Sequence, residues 1–409
     1  MTAPPRDPVA TGQLLSGVRV LDLTNVLAGP FCGYQLALQG AEVIKVEVPE
    51  GGDLARQLGA DASLNKQSMG ASFLAQNAGK KSITLNLKNE DAREIFLKLV
   101  NTADVLVENF RPGVMDRLGV GYTVLTERRP NLIYCAISGF GQDGPLRDRP
   151  AYDQIIQGLS GVMSVTGSRD TGPLRVGYPI CDTLGGLTAS FAIACALFRR
   201  RATGEGQFLD VSMLDATLAT LGWAVSNWLI AGIEPSPMGN DNVTASPSGT
   251  FATGDGILNI AANKQEQFES LCRLIGREDL LTDCRFAERE GRKENRQALS
   301  QEIESALAAA SAGHWEEALT KAGVPAGRVM SVPEALDSEQ VKLREMTQTH
   351  LVPGVDRPVT VVKSGFKVSG FRRGTSRAPP QLSQHTHDIL GQLGYSMQDI
   401  TDLHTKGAI

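Results

Sequence analysis

Apolar and polar positions follow two alternating periods along the first 230 residues. Val18-Arg19-Val20-Leu21-Asp22-Leu23 repeats every second position, which predicts a strand. A turn at Ala28-Gly29-Pro30 follows, with Pro30 placed as the first helical residue, where its missing N–H costs nothing. Phe31 to Gln39 reads as that helix, Gly40 as its stop, and Glu42 to Glu47 as the next strand. A strand–helix–strand unit with short connections predicts parallel pairing. The same grammar gives a strand over Ser82 to Lys88 and a helix capped by Asn89 running to about Val100, with Glu90 and Asp91 in its first turn. Further strands are predicted over Asp104 to Glu108, Asn131 to Ile137 and Phe208 to Ser212, and a long apolar helix with a basic end over Leu184 to Arg201. Leu214 to Ile233 carries Asp215, Thr217, Thr220, Ser226 and Asn227, too many polar groups for a bilayer span of ~20 residues. It reads as one buried helix of a soluble, cytoplasmic protein.

The pattern changes near Glu234, where a turn-rich stretch leads into the polar segment Asn240 to Gly249. Beyond it come a strand at Gly256 to Ala261 and helices at Gln265–Ile275, Lys293–Ala310 and His314–Ala322. A strand at Val359 to Val362 and a helical tail, His387 to Leu393 and Met397 to Leu403, complete the chain. The predicted fold class is α/β: a large Rossmann-like domain with a parallel sheet over residues 1–225, a smaller α+β domain over 235–330, and a segment, 331–409, returning to the large domain.

Composition narrows the function. The chain has 409 residues, 42% hydrophobic and 21% charged, which excludes a disordered protein. A net charge of -5 provides no global field for nucleic acid or an anionic membrane, while leaving room for a local basic pocket. No two of the six cysteines form a C-x-x-C pair, and their apolar settings predict buried free thiols in a reducing compartment. All five histidines stand at or after His314, so no metal site or Ser-His-Asp triad is built from histidine in the N-terminal half. The leader over residues 1–8 is Pro-rich and has no apolar core, unlike a secretory signal.

No P-loop, G-x-G-x-x-G, H-E-x-x-H or G-x-S-x-G motif is present. Three segments remain. Glu108 to Gly113 follows a strand, at the edge where open α/β sheets bind ligands; Asn109 can donate to a carbonyl or phosphate and Arg111 or Arg117 can fork onto a phosphate, or the segment is a turn with solvated arginines. Tyr152 opens a helix, either as a core aromatic or at a site. Asp182 ends an apolar run before Gly185, Gly186 and an apolar helix. It is either a plain N-cap or a nucleophile held at a helix N-terminus, with the glycines letting a bulky ligand approach. The residue pattern leaves both readings open.

Longer blocks do carry a resemblance. G-V-R-V-L-D-L-T-N-V-L-A-G-P-F, G-A-E-V-I-K-V-E, G-G-D-L-A-R, D-V-L-V-E-N-F-R-P-G, I-S-G-F-G-Q-D-G-P, T-G-E-G-Q-F-L-D-V-S-M-L-D-A and R-A-P-P-Q-L-S-Q-H-T, in that order, resemble the class III coenzyme A-transferases, a superfamily that includes 2-methylacyl-CoA racemases. The resemblance implies that Asp182 is the nucleophile, forming an aspartyl–acyl anhydride and then an aspartyl-CoA thioester. CoA and its thioesters are then substrates, with no prosthetic group and no metal. It further implies CoA contacts from Val26, Leu27 and Ala28, from Leu85, Asn86, Leu87 and Lys88, and from Asn109, Phe110, Arg111 and Arg117, with Tyr152, Gly185 and Gly186 beside the nucleophile. The implied acceptor is a small dicarboxylate, succinate- or oxalate-like, and the implied assembly is an interlocked homodimer with no nucleic-acid or membrane partner.

Two departures stand out: Val48 replaces an arginine that many members carry, and Asn242 to Gly249 lacks the glycine run that covers the site in some members. Racemases of the superfamily pair their aspartate with a histidine; here the matching block has Tyr152, whose ordinary pKa of ~10 suits a proton shuttle poorly. Transferase is therefore the preferred reading, over a racemase or a non-catalytic acyl-CoA binder.

Overall fold

The computed structural model describes residues 12–371 and 373–409, so the leader over residues 1–8 lies outside them. Contacts divide the chain into two compact units. The first runs to Val162 and takes in Arg175–Leu229 and Arg344–Ile409; the second holds Met163–Leu174 and Ile230–Leu343.

The first unit is built on β1 (Arg19–Asp22), α1 (Ala28–Leu38), β2 (Glu42–Glu47), β3 (Lys81–Thr84), α2 (Glu90–Val100), β4 (Val105–Glu108), β5 (Ile133–Ser138), α3 (Asp153–Leu159), α4 (Ile180–Thr203), β6 (Gln207–Ser212) and α5 (Met213–Thr220). The six strands form one sheet in the order β3-β2-β1-β4-β5-β6, every neighbouring pair parallel. Such a sheet buries both faces, so its strands need apolar residues of both parities. Val20, Val43, Val105 and Ile133 pack with α1 and α4 on one side. Leu21, Ile44, Leu106 and Tyr134 pack with α2 and the C-terminal residues Ile389 and Ile400 on the other. Each of these side chains, once buried, contributes about 1.5–3 kcal/mol.

Several boundaries differ from the sequence reading. α1 begins at Ala28, so Pro30 is its third residue; the first four N–H groups of a helix have no internal partner, and the proline still costs nothing. β3 ends at Thr84; Leu85 adds one more ladder bond, N–H to the Glu47 carbonyl at 2.8 Å, and Asn86 then bonds the C-terminal Ala408. α4 starts at Ile180, which places Asp182 inside its first turn. By length and composition α4 could cross a membrane, but its inner face packs against α1, β5 and β6. The stretch read as one buried helix breaks at Gly222, φ +54°, into α5 and α6 (Trp223–Ala231), and α6 buries no residue. Cys195 and Cys284 are exposed rather than buried; all six thiols are free.

In the second unit β7 (Ser248–Ala252), β8 (Ile257–Ala261) and β9 (Ala326–Arg328) form an antiparallel sheet in that order. It shares a core with α7 (Gln265–Leu274), α8 (Arg296–Leu307) and α9 (Ala312–Lys321). The predicted helix Lys293 to Ala310 is interrupted at Asn295, which separates Arg289–Glu294 from α8. The chain then returns to the first unit as the hairpin β10 (Thr347–His350) and β11 (Val359–Val362), followed by α10 (Thr386–Gln392) and α11 (Met397–Thr405).

Candidate active site

The sheet grows outward in one direction from β1 and in the other from β4, and open α/β sheets take their ligands at the carboxyl ends of such a pair. A cavity of about 250 Å3 lies there. Its walls are the turn after β1 (Asn25, Val26, Leu27, Ala28), the turn after β4 (Asn109 to Pro112), the end of β5, and Arg147, Arg149, Tyr152 and Asp182.

Side chains hold the first turn in place. Val26 has φ +68°, a left-handed conformation that costs a β-branched residue about 1–3 kcal/mol. Its N–H donates to Asp53 Oδ1 at 2.9 Å. The Asn25 N–H donates to Asn109 Oδ1 at 2.8 Å, and Asn109 Nδ2 donates back to the Asn25 carbonyl at 2.9 Å. The amide expected to meet a phosphate or carbonyl is therefore engaged in clamping two turns together. Lys45 Nζ donates to the Thr24 carbonyl at 2.7 Å and lies 2.9 Å from Asp53 Oδ2. Lys80 Nζ stands 2.7 Å from Asp22 Oδ2 and bonds the Pro30 carbonyl. All four charged side chains are fully buried. Burial pushes the Asp53 carboxyl up, but the adjacent Lys45 ammonium and the Val26 and Ala55 N–H groups together outweigh this and hold it below the usual range.

Asp182 differs from the expected capping residue. α4 has Pro179 at its N-cap position, and the N–H groups of Cys181 and Asp182 both donate to Asp153 Oδ1, at 2.8 and 3.3 Å. Asp153 is itself buried and accepts from Gln157 Nε2 at 2.6 Å. Asp153 thus takes the donors of the helix end, and the Asp182 carboxylate has no hydrogen-bond or ion-pair partner among the described residues. Burial, with Asp153 adding repulsion, pushes its carboxyl up to about 7. Glu108, buried at the end of β4 and accepting from the Phe110 N–H, is also pushed up to about 7 by burial.

The structure gathers Val26, Leu27, Ala28, Asn109, Phe110, Arg111, Tyr152 and Asp182 around the cavity. Tyr152 is 69% exposed, so it is no core aromatic. Leu85, Asn86, Leu87 and Lys88 follow β3 outside the cavity wall; Leu85 and Leu87 are buried in the core, and Lys88 is exposed. Arg117, exposed at the end of the short helix Val114–Arg117, also stands outside it. Gly185 and Gly186 do not open a path for a ligand. A Cβ on Gly186 would lie 2.3 Å from the Ala28 carbonyl oxygen, and one on Gly185 2.9 Å from Met213 Cγ, so both glycines serve close packing of α4 on α1 and α5. Val48 is exposed. Arg147 and Arg149 were missed as individual residues, although their loop, G-Q-D-G-P-L-R-D-R-P, carries two guanidiniums in a turn-rich stretch after a strand. Among the described residues no cluster of three or more His, Cys, Asp or Glu side chains could hold a metal ion.

The sequence profile of CoA-transferase family III matches residues 15–386. The acetyl-CoA:oxalate CoA-transferase of Acetobacter aceti is 44% identical over 367 residues, covering 89% of this chain and 93% of that protein. The succinyl-CoA:glutarate CoA-transferase of Mus musculus is 35% identical over 409 residues, covering 100% and 93%. The crystal structure of a CAIB/BAIF family protein from Brucella suis superimposes with a TM-score of 0.83 at 35% identity, covering 94% of this chain and 100% of that one. A parallel-sheet crevice holding an unpaired carboxylate, in a chain with these relatives, has one identity: the protein belongs to CoA-transferase family III and is a class III CoA-transferase, an enzyme whose substrates are CoA thioesters.

Proposed function

We propose that this enzyme moves CoA from an acyl-CoA donor to a small dicarboxylic acid, with Asp182 as the nucleophile. The observation that carries the proposal is the Asp182 carboxylate: half-buried in the cavity wall, without a partner, and more basic than an ordinary carboxylate. A raised pKa makes a better nucleophile of the ionised form. An Asp182 oxygen attacks the thioester carbonyl, the C–S bond breaks, and CoA thiolate leaves an aspartyl–acyl anhydride. The thiolate then attacks the aspartyl carbonyl and expels the donor acid, giving an aspartyl-CoA thioester. An acceptor carboxylate displaces the thiolate in turn, and the thiolate takes the acceptor's acyl group and frees Asp182. Holding the thiolate close makes its two attacks effectively intramolecular. Leu27, the N-cap residue of α1, offers no side-chain acceptor, which leaves first-turn N–H groups beside the cavity to meet the developing oxyanion.

Arg111, Arg147 and Arg149 support the acceptor class, because guanidinium forks match carboxylates and three of them line one small cavity. Two of the relatives are named for transfer to oxalate and glutarate. No histidine lines the cavity, which disfavours α-proton exchange between two bases. One labelled-CoA assay against a series of acids tests the reading. Dicarboxylic acids should be accepted faster than monocarboxylic acids of equal length, and Asp182→Ala should transfer to none. Transfer undiminished in Asp182→Ala sinks the reading.

We further propose a homodimer, interlocked as the resemblance implies. Phe191 and Phe198 on α4 are 70% and 80% exposed, and α6 presents Trp223, Trp228 and Leu229 with nothing buried. Exposed aromatic surface on this scale marks an association face. The six free thiols suit a reducing compartment, and we place the enzyme in the cytoplasm.

A further inference from the structure

Five successive backbone polar groups in the turn after β1 bond to side chains instead of to a helix or sheet ladder. The Thr24 N–H meets Asp22 Oδ1 at 3.0 Å and the Thr24 carbonyl meets Lys45. The Asn25 N–H and carbonyl meet Asn109, and the Val26 N–H meets Asp53. A surface turn does not ordinarily recruit buried ions for this work. Ion pairs sealed from water gain little stability over an apolar filling, but they fix geometry closely. The geometry fixed here is an unfavourable one, because valine at φ +68° has no local reason to stay there. Strain held by an over-determined surround is found where backbone position serves function. Leu27 and Ala28 follow Val26 directly, and all three residues wall the cavity that holds Asp182.

We propose that Asp53 is a positioning residue for the transfer reaction: by bonding the Val26 N–H and pairing with Lys45, it keeps the turn after β1 in the left-handed path that sets the start of α1 against the reacting thioester. The proposal rests on the reading of this cavity as the transfer site. Asp53 lies outside the cavity wall, so it acts only through the turn. It also has a local duty, since its Oδ1 accepts from the Ala55 N–H at 2.9 Å, and the test must separate the two.

Glycine adopts a positive φ without the Cβ penalty, so Val26→Gly removes the need for a lock. A cycle of four chains, unchanged, Val26→Gly, Asp53→Ala and the double variant, therefore isolates the positioning role. In the valine chain Asp53→Ala should lower kcat roughly 100-fold and change KM for the acyl-CoA less than about threefold, as expected for loss of orientation. In the Val26→Gly chain the same change should cost at least about tenfold less. A purely structural Asp53 would give the same loss in both chains, and that result overturns the proposal. If Asp53→Ala does not fold, Asp53→Asn, which keeps the side-chain volume and removes the charge facing Lys45, is read by the same comparison. Activity that survives Asp182→Ala would instead count against the transfer site itself, independently of the cycle.

Discussion

At position 182 the carboxylate has no partner among the described residues, while the N–H groups of Cys181 and Asp182 donate to Asp153. The consequence is a pH dependence with a definite sign. As the proposed nucleophile, Asp182 would react in its ionised form, which dominates above its raised value of about 7. Below that value kcat/KM should fall about tenfold per pH unit. Glu108 titrates over the same range, so the profile is to be measured in Glu108→Gln as well. The acidic limb should persist there; a limb that disappears with Glu108, or one displaced to the ordinary carboxylate range, contradicts the assignment. The position of Asp182 was legible in P-I-C-D-T-L-G-G, since an acid between an apolar run and a helix is conspicuous. Its electrostatic character was not, because that depends on Asp153, 29 positions earlier. Asn109 was legible as a polar residue at a strand end, but its clamp on Asn25 exists only once β1 and β4 lie side by side.

Among the elements, β2 and α2 match their predicted bounds because alternation, an Asn cap and acidic first-turn residues agree with one another. α5 and α6 were misread because an apolar stretch without a clear period does not reveal its break, and α6 owes its apolar surface to something other than the core. The α1–α4 contact shows what the pair of glycines in α4 is for. Gly186→Ala would bring a methyl group to 2.3 Å from the Ala28 carbonyl oxygen, a backbone atom that cannot swing aside. The helices must separate, at a cost of about 1–3 kcal/mol typical of overpacking. Because Ala28 also walls the cavity, kcat should fall together with the unfolding temperature. Thermal unfolding and steady-state kinetics on Gly186→Ala check this, and a variant unchanged in both would show that the packing is looser than the geometry indicates.

For the whole molecule, the α/β class was legible from repeated strand–helix units, but the strand order was not, because β4 pairs with β1 and not with β3, the strand before it in the chain. That order sets the crevice at β1 and β4, and the crevice collects residues from turns more than a hundred positions apart. The grouping of Met163–Leu174 with the second unit was invisible locally, since it depends on contacts such as the Gly239 N–H to the Gly167 carbonyl at 2.6 Å. The exposed aromatic surface of α4 and α6 predicts a dimer that persists on dilution, measurable by light scattering after size-exclusion chromatography; a monodisperse monomer at micromolar concentration contradicts it. The chemistry is tested most directly by catching the enzyme in mid-turnover. With acyl-CoA present and acceptor withheld, hydroxylamine should convert one aspartate to a hydroxamate, and peptide mass mapping should find it at Asp182. Turnover that continues while the peptide containing Asp182 stays unmodified contradicts the account.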